Sequence, residues 1–318
     1  MFDEKGVLKD KKEFSAEDAL KYSDELEQGK WLDIEKTFIQ KYPDSFFLGF
    51  KKEKIEKCKT TQDPKKIILV SEFLKKQFNK TKEYNTIITK QKVKNSVQND
   101  NLIVQTINHI DEITKIINML VKRLREWYEL YNPEFSKSVF DHEKFIDLIL
   151  LKTKKELLEQ IKIKPELSMG AELKENNIKP ILELAKQAKA LYEFKAEQTK
   201  YLEKLMQETC PNITAITGPL LGARLISLGG SLQHLVELPS STIQLLGAEK
   251  ALFRHIRAGT KAPKHGILIE HPLVMEAKNK GKAARMIANK ISIAAKVDLY
   301  KGKFIGDKLR KDLEKKLK

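Results

Sequence analysis

The stretch that decides the fold is "NLIVQTINHIDEITKIINMLVKRLREWYELYNP", residues 101–133. Its apolar side chains recur at steps of three and four, the spacing that places them on one side of a helix. The predicted seam consists of Ile110, Ile113, Ile117, Leu120, Leu124, Trp127 and Tyr131. We expect this long helix to end at Pro133, because proline cannot continue a helix.

Two further helices are predicted downstream. The first is "DHEKFIDLILLKTKKELLEQI", residues 141–161, and it stops near "KPELSMG". The second runs from about Lys179 to Thr209 with Pro180 in its first turn. Its apolar side consists of Ile181, Ala185, Ala188, Tyr192, Leu202 and Met206. The pattern indicates an antiparallel coiled-coil hairpin, although a plain helical bundle also fits. A protruding hairpin leaves apolar surface for a second copy, so a homodimer is expected.

Residues 1–95 are predicted to form a small α/β domain. "SAEDALKYSDELEQG" (15–29) has a serine cap, an acidic first turn and a closing glycine, which predict a helix. "SFFLGF" (45–50) and "KIILV" (66–70) are typical of strands, although the second also fits a helix from Pro64 to Phe78. "KTKEYNTIITKQKVKNSVQND" (80–100) is polar and is expected to be a linker or domain edge.

From Pro211 onward the sequence predicts a compact helical domain. "GPLLGARLISLGG" (218–230) lacks the glycine spacing of a phosphate-binding loop, so its small residues indicate close helix packing. The predicted fold class is therefore mainly α. It comprises a small α/β N-terminal domain (1–95), a coiled-coil dimerisation hairpin (96–210) and an all-helical C-terminal domain (211–318).

Charge is unevenly distributed along the chain. The formal net charge of the 318 residues is +16. Residues 211–318 hold 20 Lys and Arg against 8 Asp and Glu, whereas residues 1–210 hold 40 against 36. A basic half on a balanced chain indicates a polyanionic partner. The alternative is solubility with a general lysine bias, which should enrich both halves.

Composition also excludes several classes of protein. No apolar run reaches the ~18–20 residues of a membrane span, and the charged start "MFDEKGVLKDKKEF" has no apolar signal core. Cys58 and Cys210 have no paired spacing, so neither a disulfide framework nor a cysteine-based zinc site is expected. We therefore expect a cytoplasmic protein with no membrane association.

The stretch "LLGAEKALFRHIRAGTKAPKHG", residues 245–266, predicts a short helix that Gly259 ends and that a basic loop follows. One ~60° arc of the helix is cationic and holds Lys250, Arg254 and Arg257. A separate arc is apolar and is expected in the core: Leu252, Phe253 and Ile256. The loop adds Lys261, Lys264 and His265.

A second basic helix is predicted in "KNKGKAARMIANKISIAAKV", residues 278–297. Its cationic and polar arc holds Lys282, Arg285, Asn289 and Lys296, opposite Ala284, Ile287, Ala288 and Ile291. Two basic helices flanking a basic loop favour a nucleic acid. Aromatic residues are sparse here, with Tyr300 and Phe304 unassigned, so a structured RNA is favoured over a single strand.

No catalytic, cofactor or metal site is predicted. His255, His265 and His271 fall close together, but their spacing matches no zinc pattern. The serines of this half lack a G-x-S-x-G turn, and its acids are few and scattered. No nucleotide or S-adenosylmethionine fingerprint is present, so we do not expect an enzyme.

These residues resemble a known family. "CPNITAITGPLLGARLISLGGSLQHLVELPSSTIQLLGAEKALFRHIRAGTKAPKHGILIEHP" (210–272) and "KGKAARMIANKISIAAKVDLYKGKFIG" (280–306) resemble the Nop-domain signature of box C/D small ribonucleoprotein scaffolds. "LVKRLREWYELYNPEF" (120–135) and "ELSMGAELKENNI" (166–178) resemble the coiled coil of the same proteins. The resemblance covers roughly residues 100–306. The absence of a long charged tail after "LRKDLEKKLK" favours the archaeal, fibrillarin-associated type over nucleolar members.

The resemblance implies a scaffold with three partners. The N-terminal domain would hold fibrillarin, the methyltransferase that performs RNA-guided 2′-O-methylation of rRNA or tRNA. The coiled coil would pair two copies. The Nop domain would clamp a box C/D guide RNA at a kink-turn that already carries its kink-turn-binding protein.

The resemblance implies that RNA is bound by the residues at matching positions here: Lys250, Arg254, Arg257, Lys264, His265, His271, Lys282 and Arg285. The pattern of the basic loop and of the second basic helix adds Lys261 and Asn289 to the predicted RNA-binding set. A competing hypothesis is a dimeric coiled-coil protein whose basic domain binds nucleic acid non-specifically.

Overall fold

The structure, a computed structural model, describes residues 2, 7–12, 15–43, 46–48, 59–61 and 63–317. The chain divides into two compact units, Met1–Gln98 and Asn99–Lys318. Helices make up most of the described residues, so the predicted mainly α fold class is confirmed. The boundaries of the three predicted domains stay a prediction.

The described residues of the N-terminal unit form three helices and a two-stranded parallel sheet. Its elements are α1 (Ala16–Glu27), α2 (Asp33–Lys41), β1 (Phe46–Leu48), β2 (Lys59–Thr61) and α3 (Pro64–Ser96). The helix expected in 15–29 is α1. The strand expected in "SFFLGF" is β1, and Ser45, Gly49 and Phe50 lie outside the described residues.

Helix α3 includes all or most of two other stretches for which a structure was predicted, "KIILV" and residues 80–100. "KIILV" lies inside α3, so its strand alternative is wrong and its helix alternative is confirmed. The stretch 80–100, expected to be a linker or domain edge, is not a linker, because α3 continues to Ser96 and the next helix begins at Asn99. It is a domain edge, since the boundary between the two compact units lies between Gln98 and Asn99. The stretch is rich in lysine and holds neither glycine nor proline, so it stays helical as far as Ser96.

The second unit begins with the helical hairpin. Its elements are α4 (Asn99–Tyr128), α5 (Pro133–Ser138), α6 (His142–Leu151), α7 (Lys154–Gln160), a 3-10 turn (Pro165–Leu167) and α8 (Glu175–Thr209). The start of α4, at Ile103–Ile110, shares a core with Leu202–Met206 at the end of α8. The rest of α4 shares a second core with Ile181–Ala188. The two long helices are therefore antiparallel.

The buried seam of α4 drifts away from the predicted heptad. Ile110, Ile113, Ile117 and Leu124 are buried as predicted, whereas Trp127 is 38% exposed and Leu120 and Tyr131 are half-buried. Val121 and Tyr128 are buried instead. From Ile110 the observed steps are 3, 4, 4, 3 and 4, which follow the 3.6-residue turn of a straight helix and not the 3.5-residue repeat of a supercoil.

Three helix boundaries between α4 and α8 differ from the prediction. Helix α4 ends at Tyr128, and Pro133 starts α5. The stretch 141–161 was predicted as one helix but forms two. Thr153 begins the second one, α7, with a capping box in which the Thr153 N–H donates to Glu156 Oε2. Pro180 lies inside α8 and not in its first turn, since α8 begins at Glu175.

Short helices complete the unit: α9 (Pro211–Thr217), α10 (Pro219–Gly229), α11 (Leu232–Glu237), α12 (Ser240–Leu245), α13 (Glu249–Ala258), a 3-10 turn (Ile267–Glu270), α14 (Pro272–Met275), α15 (Lys280–Leu299) and α16 (Gly306–Leu317). The core forms around α15, whose Ala284, Ile287, Ala288 and Ile291 are fully buried. Gly222 permits close packing as predicted, since a Cβ there would lie 2.9 Å from Met206 Cε.

Candidate nucleic-acid interface

Helix α13 presents the first cationic cluster to solvent. It begins after Gly247, whose N–H donates to Glu249 Oε1 (2.7 Å), and it ends at Gly259 with a left-handed φ of 62°. Lys250, Arg254 and Arg257 are all exposed. None of the residues of α13, all of which the structure describes, is buried. The whole helix therefore lies on the surface.

The apolar arc of α13 corrects the sequence prediction. Phe253 and Ile256 were expected in the core, but they are 59% and 69% exposed, and Leu252 is only half-buried. An amphipathic sequence determines which side chains share a face, but only the neighbouring elements determine whether that face is covered. Phe253 instead lines an open depression together with the three cations of α13.

The basic loop 259–266 is anchored at both ends. At its start, His255 Nδ1 bonds the backbone oxygen of Thr260. At its end, the Gly266 N–H donates to Gln244 O (2.9 Å). A Cβ at Gly266 would lie 1.9 Å from Leu246 O, so only glycine fits this approach. Lys261 and Lys264 are exposed between these anchors, and His265 is half-buried.

The loop lies beside the first turn of α15. A Cβ on Gly281 would lie 3.2 Å from Lys264 Cβ, so the stem of Lys264 packs over this glycine. Asn279 caps the helix by accepting the Lys282 N–H (3.1 Å). Lys282, Arg285 and Asn289 are exposed along α15. The structure thus brings the basic loop and the second basic helix together.

His271 is placed differently from the other nine candidate residues. It is 5% exposed, and its Nε2 lies 2.9 Å from Ile216 O. Its Nδ1 accepts the Leu273 N–H (3.1 Å). Because Ile216 O can only accept and Leu273 N–H can only donate, the ring is neutral with its proton on Nε2. Burial lowers the pKa of His271 in agreement with this state. Its side chain connects α9 to α14.

Two ionic groups, one buried and one half-buried, hold the elements of this surface in place. Neither was predicted from the sequence. Asp298 accepts the backbone N–H groups of Asn212 (3.1 Å) and Ile213 (2.9 Å), and burial raises its pKa against these hydrogen bonds. Arg224 binds Asp111 on α4 and Glu270, each at 2.7 Å. Their partners lie far away along the chain, so the sequence around a single aspartate or arginine does not identify them.

Within the described ranges, no group of three or more His, Cys, Asp or Glu side chains is arranged to hold a metal ion. None of the helices in these ranges has the length and apolarity of a membrane span.

A family model named Nop, described as "snoRNA binding domain, fibrillarin", matches residues 109–318. The chain belongs to the Nop family. The predicted resemblance is therefore confirmed.

Several members of this family with curated descriptions are similar to the chain. A NOP5 family protein of Methanocaldococcus jannaschii is 41% identical over 259 residues, which are 76% of this chain and 62% of the relative. Nucleolar protein 58 of Schizosaccharomyces pombe is 39% identical over 220 residues, 64% of this chain and 43% of the relative. Nucleolar protein 56 of Dictyostelium discoideum is 38% identical over 233 residues, 67% and 43%. The Nop chain spans about half the length of these relatives.

A chain in the crystal structure of a fibrillarin/Nop5p complex is also similar to this Nop chain. The identity is 23% and the TM-score is 0.45, over 76% of this chain and 78% of the other.

Proposed function

We propose that this Nop chain is a non-catalytic core scaffold of a box C/D small ribonucleoprotein. It binds a kink-turn guide RNA together with the kink-turn-binding protein, and it positions fibrillarin for 2′-O-methylation of rRNA or tRNA. The family description names a snoRNA-binding domain and fibrillarin, and two similar relatives are nucleolar proteins. In an archaeal cell the complex would be cytoplasmic, and in a eukaryote it would be nucleolar.

The observation that carries this proposal is the surface of α13. Three exposed cations, Lys250, Arg254 and Arg257, line one depression with the exposed ring of Phe253. RNA phosphates can pair with the three cations, but they do not bury the apolar side chains of Phe253 and Ile256. A composite ligand of RNA and protein can do both, because its phosphates pair with the cations while an apolar surface of its protein buries Phe253 and Ile256.

The proposed RNA-binding set follows from exposure as well as from the resemblance. Nine of the ten candidate residues are exposed or half-buried on α13, on the basic loop and on α15. We assign them to RNA phosphates or to the composite surface. We assign His271 to positioning, because both of its ring nitrogens bond backbone groups of this chain.

The test is binding of the full chain to a kink-turn RNA with and without the kink-turn-binding protein. We expect the second protein to tighten binding, and we expect Phe253→Ala with Ile256→Ala to remove most of that gain while leaving binding to bare RNA nearly unchanged. Met119→Ala is the matched control, since Met119 is 65% exposed on α4. If the second protein does not change the affinity, the chain is instead a non-specific nucleic-acid binder.

Fibrillarin is proposed to bind the N-terminal unit, Met1–Gln98. Co-purification of the full chain with fibrillarin, compared with a chain that begins at Asn99, measures this directly. Capture that is equal for both chains would move the fibrillarin site to the second unit.

A homodimer is proposed to form through the segment between α4 and α8. Large apolar side chains are exposed along it: Leu130 (62%), Phe140 (90%), Leu151 (77%), Leu167 (71%) and Met169 (83%). Exposed apolar side chains concentrated in one segment are typical of a protein interface.

A further inference from the structure

The loop between α15 and α16, "YKGKF" (residues 300–304), carries two exposed aromatic rings that the proposed function leaves unused. Tyr300 is 76% exposed and Phe304 is 53% exposed. Lys301 and Lys303 lie between them, and both are exposed. A single exposed aromatic residue is ordinary on a protein surface. Two within five residues, alternating with lysines, is the composition of a surface that binds unpaired nucleotides.

The start of the loop is held by the end of α15. Lys301 adopts a left-handed φ of 51°, in the position where glycine usually ends a helix. The Gly302 N–H donates to Val297 O (2.8 Å), and the Lys301 N–H donates to Asp298 O (3.3 Å). These two bonds form the Schellman pattern, which fixes the direction in which the chain leaves α15.

The end of the loop is held by the core. The Ile305 N–H donates to Asn212 Oδ1 (2.7 Å), and Asn212 Nδ2 donates to the buried Asp298 (2.7 Å). A Cβ on Gly306 would lie 2.9 Å from Phe304 Cε2 and 2.6 Å from Ala215 Cβ. Gly306 therefore makes room for one edge of the Phe304 ring. With both ends fixed, the exposed rings are preorganised, and binding does not have to order a flexible segment.

The acidic groups near the loop leave its lysines unneutralised. Asp298 is buried and accepts hydrogen bonds from α9. On α16, Asp312 pairs with Lys290 and Lys316, and Glu314 pairs with Arg310. Asp307 in the first turn of α16 is the nearby carboxylate that remains. Among the described residues, none forms an ion pair with Lys301 or Lys303.

We propose that this loop is a second RNA-contacting surface, on which unpaired nucleotides stack against Tyr300 and Phe304 while Lys301 and Lys303 bind their phosphates. The proposal deepens the proposed function and rests on it for the identity of the ligand as RNA. An acidic protein would pair with the lysines and an apolar protein would cover the rings. A single strand of RNA offers a flat base and a phosphate in every nucleotide, so it satisfies both kinds of side chain.

The test measures binding of the full chain to a fluorescent oligouridylate of about 12 nucleotides. Base stacking on an aromatic ring contributes ~1–3 kcal/mol, so Tyr300→Ala and Phe304→Ala should each weaken binding about 5- to 150-fold. Tyr300→Trp should retain the affinity, and its emission should be quenched when the oligonucleotide binds. Tyr201→Ala is the matched control, because Tyr201 is an exposed tyrosine on α8 (46%).

The lysines are tested by the salt dependence of the same binding. Lys301→Ala with Lys303→Ala should flatten the slope of log affinity against log salt by up to about 0.7 for each phosphate that is no longer bound. The matched control is Lys200→Ala with Lys204→Ala, two exposed lysines of α8.

Several outcomes would overturn the proposal. One is that the wild-type chain does not bind the oligonucleotide. Another is that the ring variants bind within twofold of the wild type, or weaken no more than Tyr201→Ala. A third is that the lysines matter and the rings do not, which would make the occupant a polyanion without bases, such as an acidic protein.

Failure here is distinguishable from failure of the proposed function. The Tyr300 and Phe304 variants should bind kink-turn RNA with its protein as tightly as the wild type, whereas variants of α13 should bind this complex more weakly. Loss of only the oligouridylate binding assigns the effect to the loop. Normal oligouridylate binding without kink-turn recognition contradicts the scaffold proposal and leaves the loop as a single-strand site.

Discussion

His271 is a buried histidine whose two ring nitrogens both bond backbone groups, Ile216 O and the Leu273 N–H. Protonation would place a second N–H against the Leu273 N–H, so the folded state requires the neutral ring. His142 behaves similarly, because burial together with the Arg125 guanidinium lowers the pKa of His142, whose Nδ1 accepts the Arg125 Nε–H (2.9 Å). Both histidines therefore have a structural role, in which the neutral ring accepts an N–H hydrogen bond at Nδ1.

We therefore expect stability to fall as the pH drops from about 7.5 to 5.5. A histidine whose folded pKa is depressed stabilises the fold fully above its ordinary pKa of about 6.5, and it loses this contribution as the pH falls through the folded value. His271→Gln keeps a donor and an acceptor without a titration, so its unfolding free energy should change less over this range. Urea unfolding at several pH values measures this. Equal pH profiles for the wild type and His271→Gln would contradict the prediction.

Lys301 occupies a left-handed conformation that costs a non-glycine residue free energy. Lys301→Gly should therefore stabilise the chain by about 0.5–1 kcal/mol, measured as a higher urea midpoint at an unchanged slope. The same variant should weaken oligouridylate binding, since it removes one cation from the loop. Lys303→Gly is the control, because Lys303 has no positive φ, and it should not stabilise the chain. Destabilisation by Lys301→Gly would show that this conformation carries no strain.

Helix α13 has a cationic face and an apolar face, and none of its residues is buried. Its helical form depends on local signals, the N-terminal bond from Gly247 to Glu249 and the left-handed Gly259 at its end. Its position depends on the tie between Gly266 and Gln244, which lies outside the helix. An element built in this way tolerates surface substitutions well, so variants on it report on binding and not on folding.

Replacing Lys250, Arg254 and Arg257 by alanine should flatten the salt dependence of kink-turn RNA binding. The expected change is up to about 0.9 in the logarithmic slope for each phosphate that the variant no longer binds, on a duplex scale. Alanine favours helices, so thermal unfolding should move little. The matched control replaces three exposed lysines of α8, Lys179, Lys200 and Lys204. A slope identical to the wild type would mean that the α13 cations contact the partner protein or solvent.

In the second unit, the base of the helical hairpin and the C-terminal helices share one continuous core. The first turns of α4 and the last turns of α8 pack with α9, α10 and α15 in this core. Arg224 adds a bridge from α10 to Asp111 of α4 and to Glu270 (2.7 Å each). The base of the hairpin is therefore part of the domain that carries the basic surface. The exposed apolar side chains of the proposed dimer contact lie in the segment between the two long helices.

The chain should be a dimer in solution, and Phe140→Glu with Met169→Glu should convert it to a monomer. Both side chains are more than four-fifths exposed, at 90% and 83%, so charge there opposes an apolar interface without disturbing the core. Light scattering coupled to size exclusion measures the mass. Met119→Glu on α4 is a control of comparable exposure, 65%, and should stay dimeric. If the wild-type chain is a monomer, the proposed dimer is ruled out. If the double variant is still a dimer, the contact lies elsewhere.

The sequence was most informative where the signal is periodic or local. The spacing of Ile110, Ile113 and Ile117 predicted α4, and the cationic arc of Lys250, Arg254 and Arg257 predicted an exposed basic helix. Prediction from the sequence failed where the exposure of a side chain depends on residues that are remote in the chain. Phe253 was expected in the core because it lies on an apolar arc, but no described element covers that arc. Tyr300 and Phe304 remained unassigned because their exposure depends on how Asn212 and Ala215 hold the loop.

The sequence alone predicted α4, α8 and α13 in outline, the basic half and the family resemblance, because each of these depends on residues close together in the chain. The tertiary structure decided the straight seam of α4, the burial of His271, the exposure of the apolar face of α13 and the approach of Lys264 to Gly281. Each of these depends on contacts between residues that are remote in sequence, whose energies no local pattern contains.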